Sequence, residues 1–223
     1  MMGWTEFISA FGVFFLTHTI PVWPRNRARL VAVLGESGFS VCYSVLSLGV
    51  LIWLIGSAGR APFVSLWPWA PWQNHVALAA MAMVCLILAL SIGRPNPFSF
   101  GGSRNSDFDP ANPGLVRYTR HPLLLAIALW SFAHVVPNGN LAHVLLFGTF
   151  CVFALLGRKI VDRRKQRQMG ASWDVIAVQV KGAALVPDLR YVGAMMIRIG
   201  AGLVLYFGLL WLHPWAIGVS PLP

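Results

Sequence analysis

Charge is what this sequence has least of. Only 11% of its 223 residues are charged and only 7 are acidic, whereas 57% are hydrophobic. A soluble domain carries about a quarter of its residues as charges, so this balance excludes one and points to a polytopic membrane protein. The common catalytic signatures are also missing. No GxSxG, Walker loop or HExxH occurs, and no pair of carboxylates lies within an apolar run. Those absences exclude the usual hydrolase, nucleotide-driven and zinc-protease readings. Cysteine is scarce too. Cys42, Cys85 and Cys151 fall in apolar segments without CxxC spacing, and read as small core residues, neither disulfides nor metal ligands. The first residues lack a basic leader and a small-residue cleavage site, so the first apolar run reads as a retained span and not a signal peptide.

What is present is a series of six apolar runs, at about 7–22, 39–55, 75–92, 121–136, 141–157 and 191–212. At ~20 residues per span the length accommodates about six helices and short loops, with no second globular domain. The expected fold is therefore an all-α membrane bundle of about six transmembrane spans, one integral domain over residues 1–223. An amphipathic lead, LVAVLGESGF, precedes the second run, and an aromatic, proline-rich connection, SAGRAPFVSLWPWAPWQN, follows it as an interfacial belt. The stretch GASWDVIAVQVKGAALVPDL is weakly amphipathic and reads as interfacial.

A net charge of +10 raises the question of nucleic acid, but the basic residues sit between apolar runs and not on one soluble face. With six spans, every Lys and Arg except Arg60 and Arg198 falls in the three loops on one side. The positive-inside rule places those loops in the cytoplasm and both termini outside, with the bilayer as the principal partner. The run RKIVDRRKQRQ acts as the anchor, with some attraction for anionic lipid.

Ionisable groups inside apolar runs are costly, so His18, His134 and Arg198 are the candidate functional residues. Their plain alternative is structural: a packed histidine bonded to a carbonyl, an arginine snorkelling or paired with Glu36 or a loop acid. One imidazole from each of two helices can supply the axial pair of a haem, and aromatic and small residues flank both histidines. At about 1.5 Å per residue His18 lies ~10 Å from the basic edge at Arg25, and His134 ~21 Å from the edge at Arg120. Tilt, a break at Pro21 or a sunken turn at His121-Pro122 brings that pair level; otherwise His18 and His121 are the better matched pair. Arg198 lies ~12 Å above Arg190 and has the fork to hold an anionic group such as a propionate. Pro122 sets a helix start and leaves Arg120 and His121 at its mouth. The 94–120 loop brings Asn96, Asp107, Asp109, Asn112, Arg117, Tyr118 and Thr119 to the same face, either to grip an anionic ligand or to cap helix ends. Glu6 reads as solvated, and His75, His143 and His213 stand at helix ends on the opposite face.

The segments FFLTHTIPVWPRNRARL, PNPFSFGG, FDPANPGLVRYTRHPLLLAIALWSFAH and LLGRKIVDRRKQRQMGASW together resemble the NnrU family, over nearly the whole chain from Phe7 to Trp173. That resemblance implies a bacterial inner-membrane protein linked to nitrite and nitric oxide metabolism. The family includes the plant zeta-carotene isomerase, which looks like a haem enzyme acting on a cis double bond of a polyene. Carried over, the resemblance implies haem held by His18 and His134 and a functional role for His121. The expected site is then haem b on that histidine pair, with Arg120 acting beside His121 and Arg198 or Arg120 as propionate partner. The accompanying expectation is cis–trans isomerisation of a polyene or handling of nitric oxide. A non-catalytic accessory factor for nitrite and nitric oxide reduction is the alternative. A fainter resemblance, through the RHP turn, is to membrane methyltransferases that use an acidic pair where this chain has Asp162 followed by bases.

Overall fold

Proline and glycine punctuate the apolar runs, and helices start and stop where they fall. The computed structural model describes residues 2–20, 23–100, 103–185 and 188–223. Among them stand seven helices: α1 (Met2–Thr19), α2 (Pro24–Arg60), α3 (Pro71–Ser91), α4 (Pro122–Val135), α5 (Leu141–Met169), α6 (Ala171–Gly182) and α7 (Leu189–Ile217). Extended pairing among these residues is confined to one antiparallel bridge, Ser65 to Asn140, so the fold is all-α. Helices α2, α3 and α4 each open on a proline in the first turn, where the missing N–H has no intrahelical partner to lose.

Each apolar run is helical over nearly all of its described residues, but several boundaries differ from those expected. The lead and the second run are joined in α2, whose only break is Gly35 at φ 71° and ψ 164°, backbone that a side chain would strain. The fifth run continues through the basic stretch to Met169, because Arg, Lys and Gln are good helix formers and no breaker intervenes before Gly170. Pro21 and Val22, where the expected first span ends, lie outside the described residues, as do Val186 and Pro187 in the interfacial stretch. Cys42 is exposed, not a core residue, while Cys85 is buried.

Helices α2, α3, α5 and α7 contain stretches long and apolar enough to cross a membrane; α4 is as apolar but has only 14 residues. Their flanks expose side chains that water would not tolerate, among them Ile197 (76%), Val204 (74%) and Trp211 (72%) on α7. These are the surfaces of a membrane protein.

The chain divides into two compact units, residues 1–67 with 139–146, and residues 68–138 with 147–223. In the first, α1 runs antiparallel to the later part of α2. Gly3 lets them touch, since a Cβ there would meet Ala61 Cα at 3.1 Å. Glu6, expected to be solvated, is partly exposed and also accepts hydrogen bonds from Arg60 Nε and Trp53 Nε1, both at 3.2 Å. Arg27 reaches Glu36 at 3.1 Å, within α2. Past α2 the chain turns onto the start of α5, with Leu66 N–H donating to Gly139 O at 2.7 Å and Leu141 N–H to Val64 O at 2.9 Å.

In the second unit α3 packs against α4 and antiparallel to α7. Gly202 permits the closeness of α7, because a Cβ there would lie 3.2 Å from Cys85 O and 3.3 Å from Ala89 Cβ. Leu124 and Ala128 of α4 bury against Ala154 of α5. A second apolar cluster joins Phe98 and Val116 of the connecting loop to Trp173 and Val180 of α6, so α6 gives the 94–121 loop its floor. Arg117 Nε and Tyr118 Oη donate to the carbonyls of Ala183 and Leu185, at 3.1 and 2.7 Å.

Candidate functional site

Pro122 disfavours helical backbone at the residue before it, and His121 stands at φ −122°, ψ 65°, out of line with α4. The ring is 1% exposed. Its Nε2 lies 2.9 Å from Asp162 Oδ1, and because a carboxylate only accepts, Nε2 carries the hydrogen. Nδ1 then accepts from the Ser99 hydroxyl at 3.0 Å, and both nitrogens of the neutral ring are satisfied.

The neighbouring residue holds the same carboxylate. Arg120 donates Nε to Asp162 Oδ1 at 3.0 Å and Nη2 to Oδ2 at 2.7 Å, a fork that suits guanidinium and not ammonium. This pairing keeps the guanidinium pKa above its ordinary value. The same group lies 5.6 Å from the centre of the Trp173 ring, which meets Phe98 edge-on at 4.8 Å. Asn96 completes the frame: its Nδ2 donates to Arg120 O at 3.0 Å and its Oδ1 accepts from Phe98 N–H at 3.1 Å. The NPFS and TRHP segments, α5 and α6 are thus joined at one carboxylate. By residue type Ser99, His121 and Asp162 match a nucleophilic triad, and Ser99 is enclosed, at 2% exposure. The arrangement fastens the loop to the helices.

His18 and His134 share a different local design. On α1, His18 Nδ1–H donates to Phe14 O at 2.7 Å; on α4, His134 Nδ1–H donates to Trp130 O at 2.7 Å. The carbonyl four residues back selects one tautomer in each ring and puts the lone pair on Nε2. His18 stacks on Phe14 at 4.0 Å and meets the edge of Tyr43 at 5.8 Å. His134 lies 5.2 Å from Trp130 and 4.9 Å from Phe147. The two histidines belong to different units of the chain, and His121 shares its unit with His134.

Arg198 pairs with no acid among the described residues. Its Nη1 donates to Ala89 O at 2.8 Å and Ile92 O at 3.0 Å, capping the last carbonyls of α3. His213 donates Nδ1–H to Val219 O at 2.7 Å near the end of α7. Two members of the site escaped the sequence reading: Ser99, seen only as part of a motif, and Trp173. Asp162 stands out in the sequence only as a departure from another family's acidic pair. No local pattern announces it, since its partners stand 41 and 42 residues away.

No curated protein and no solved structure matches the chain. The model of one protein family, described as NnrU protein, matches residues 6–221, from Glu6 in α1 to the tail beyond α7. That span takes in His18, His134 and the whole Ser99–His121–Asp162–Arg120 junction, and the chain belongs to the NnrU family.

Proposed function

We propose that this protein is a haem-binding membrane protein in which His18 and His134 supply the imidazole ligands of haem b. The observation that carries the reading is the common setting of the two rings. Each sits in an apolar helix, each directs Nδ1–H to the carbonyl four residues back at 2.7 Å, and each therefore offers its lone pair on Nε2. Metal-ligating histidines are oriented in this way, and the hydrogen bond raises the basicity of the ligating nitrogen. The flanking Phe14, Tyr43, Trp130 and Phe147 give both rings apolar, aromatic walls. The donor chemistry of each ring suits an imidazole ligand of the group.

Bound haem iron would supply a site that takes up nitric oxide or weakens a conjugated double bond in a cis polyene. The protein's own part is to hold two imidazoles in fixed tautomers and to exclude water with aromatic side chains. Arg198 keeps Nε and Nη2 without hydrogen bonds among the described residues, and these are the donors for a propionate. Arg120 and His121 act in support, through Asp162. In this reading α1 and α4 complete six spans, and the basic loops face the cytoplasm of a bacterial inner membrane with both termini periplasmic.

The test is the haem content of protein purified from haem-replete cells, measured as its pyridine complex. One haem per chain is the expected result. A folded, haem-free protein overturns the reading and leaves the accessory role in nitrite and nitric oxide reduction in its place.

A further inference from the structure

A cleft of about 170 Å³ opens where α3 ends and α7 begins, and Arg94, Asp107, Phe108, Asp109, Asn112 and Tyr191 form its walls. At ~15 Å³ per water it has room for on the order of ten waters, enough for a small polar molecule. Arg94 follows the turn at Gly93, whose φ of 72° takes the chain out of α3. Its guanidinium then lies against Gly114, which has φ 58°, and a Cβ there would come within 3.2 Å of Nη1. The absent side chain at Gly114 leaves room for the guanidinium at the cleft wall.

No hydrogen bond or ion pair reaches that guanidinium among the described residues. Burial lowers its pKa from the ordinary arginine value, and repulsion from Arg198 adds to the effect. An unpaired, partly desolvated cation is costly, and an anion in the cleft would relieve the cost. The cleft is also lined by two exposed carboxylates, Asp107 and Asp109. Asp107 accepts from the neighbouring Ser106 hydroxyl through Oδ1 at 3.1 Å, and its Oδ2 lies 4.0 Å from Arg104 Nε. Asp109 accepts from Ala111 N–H through Oδ1 at 2.9 Å. A simple anion entering the cleft meets these two acids, and a simple amine meets Arg94. A molecule with both signs satisfies both.

We propose that this cleft binds a zwitterionic amino-phosphate, with its phosphate on Arg94 and its ammonium on Asp107 and Asp109. Such a group is the head of an ethanolamine phospholipid or a soluble phosphate monoester of an amino alcohol. The cleft lies at the ends of two apolar helices, the level at which lipid head groups sit.

The experiment has two arms on the full-length protein. In detergent, calorimetric titration compares O-phosphoethanolamine with inorganic phosphate and with ethanolamine. In nanodiscs of equal phosphatidylethanolamine and phosphatidylglycerol, native mass spectrometry reads which lipid stays bound. The expected results are O-phosphoethanolamine binding about tenfold tighter than either fragment, and selective retention of the ethanolamine lipid, the order that charge-assisted hydrogen bonds supply. A response in the lipid arm alone assigns the site to a head group, and one in the titration alone assigns it to a soluble ester. Arg94→Gln removes the preference, and Asp107→Asn with Asp109→Asn does the same while leaving Arg94 in place, so one variant decides if the other misfolds. No preference in either arm, or a preference that survives both variants, overturns the proposal.

Discussion

Arg120 and Asp162, 42 residues apart, meet through two parallel hydrogen bonds of 3.0 and 2.7 Å, and the same carboxylate receives the His121 ring at 2.9 Å. One acid thereby fixes the turn that opens α4 against the later half of α5. The consequences are measurable.

Asp162→Asn replaces one acceptor oxygen by a donor and sets an N–H against the guanidinium or the imidazole. A fully buried pair would cost ~3–5 kcal/mol to break, but the Arg120 side chain is 41% exposed, so the expected loss is about 2 kcal/mol. Thermal unfolding in detergent would show it as a drop of several degrees in midpoint. The Arg120→Gln, Asp162→Asn double variant should lose less than the sum of the single losses, because each single change leaves a stranded charge.

Ser99→Ala removes the donor to His121 Nδ1 and leaves a buried ring nitrogen without a partner. The expected cost is about 1–2 kcal/mol, read by the same melting curve. Haem content, measured alongside, should not change, since the account gives this junction a supporting role.

Two glycines should respond in opposite ways to alanine. At Gly139 a Cβ would overlap the Trp67 carbonyl, so Gly139→Ala breaks the pairing of residues 64–66 with the start of α5 and costs about 1–3 kcal/mol. At Gly12, within α1, no heavy atom lies within 4 Å of the added Cβ. There alanine should stabilise by up to about 1 kcal/mol through helix propensity. A fall in both midpoints would contradict the assignment at Gly12, and a rise in both the assignment at Gly139.

The sequence was most legible where a single rule governs a single helix. Apolar runs placed the helices, and Pro122 announced the start of α4 because a proline has one favourable position in a helix. It was least legible where two distant segments decide the outcome. Glu6 reads as a solvated acid until α1 and α2 are laid side by side and Arg60 and Trp53 arrive beside it. Arg198 reads as a lone buried cation, yet its first partners are backbone carbonyls at the end of α3, which carry no sequence signature. The extent of α5 was hidden by chemistry that changes from apolar to basic while the backbone stays helical. His18 and His134 could be found by their cost in an apolar run; the Nδ1 hydrogen bonds that fix their tautomers could not.

The central claim is that those two imidazoles bind haem iron. Its most direct test is the optical spectrum of the purified protein, oxidised and reduced, beside His18→Ala and His134→Ala. The account predicts a Soret band in the wild type that shifts or disappears in each variant, while the melting midpoint shows both variants still folded. A colourless wild type, or a Soret band unchanged in both variants, would contradict it.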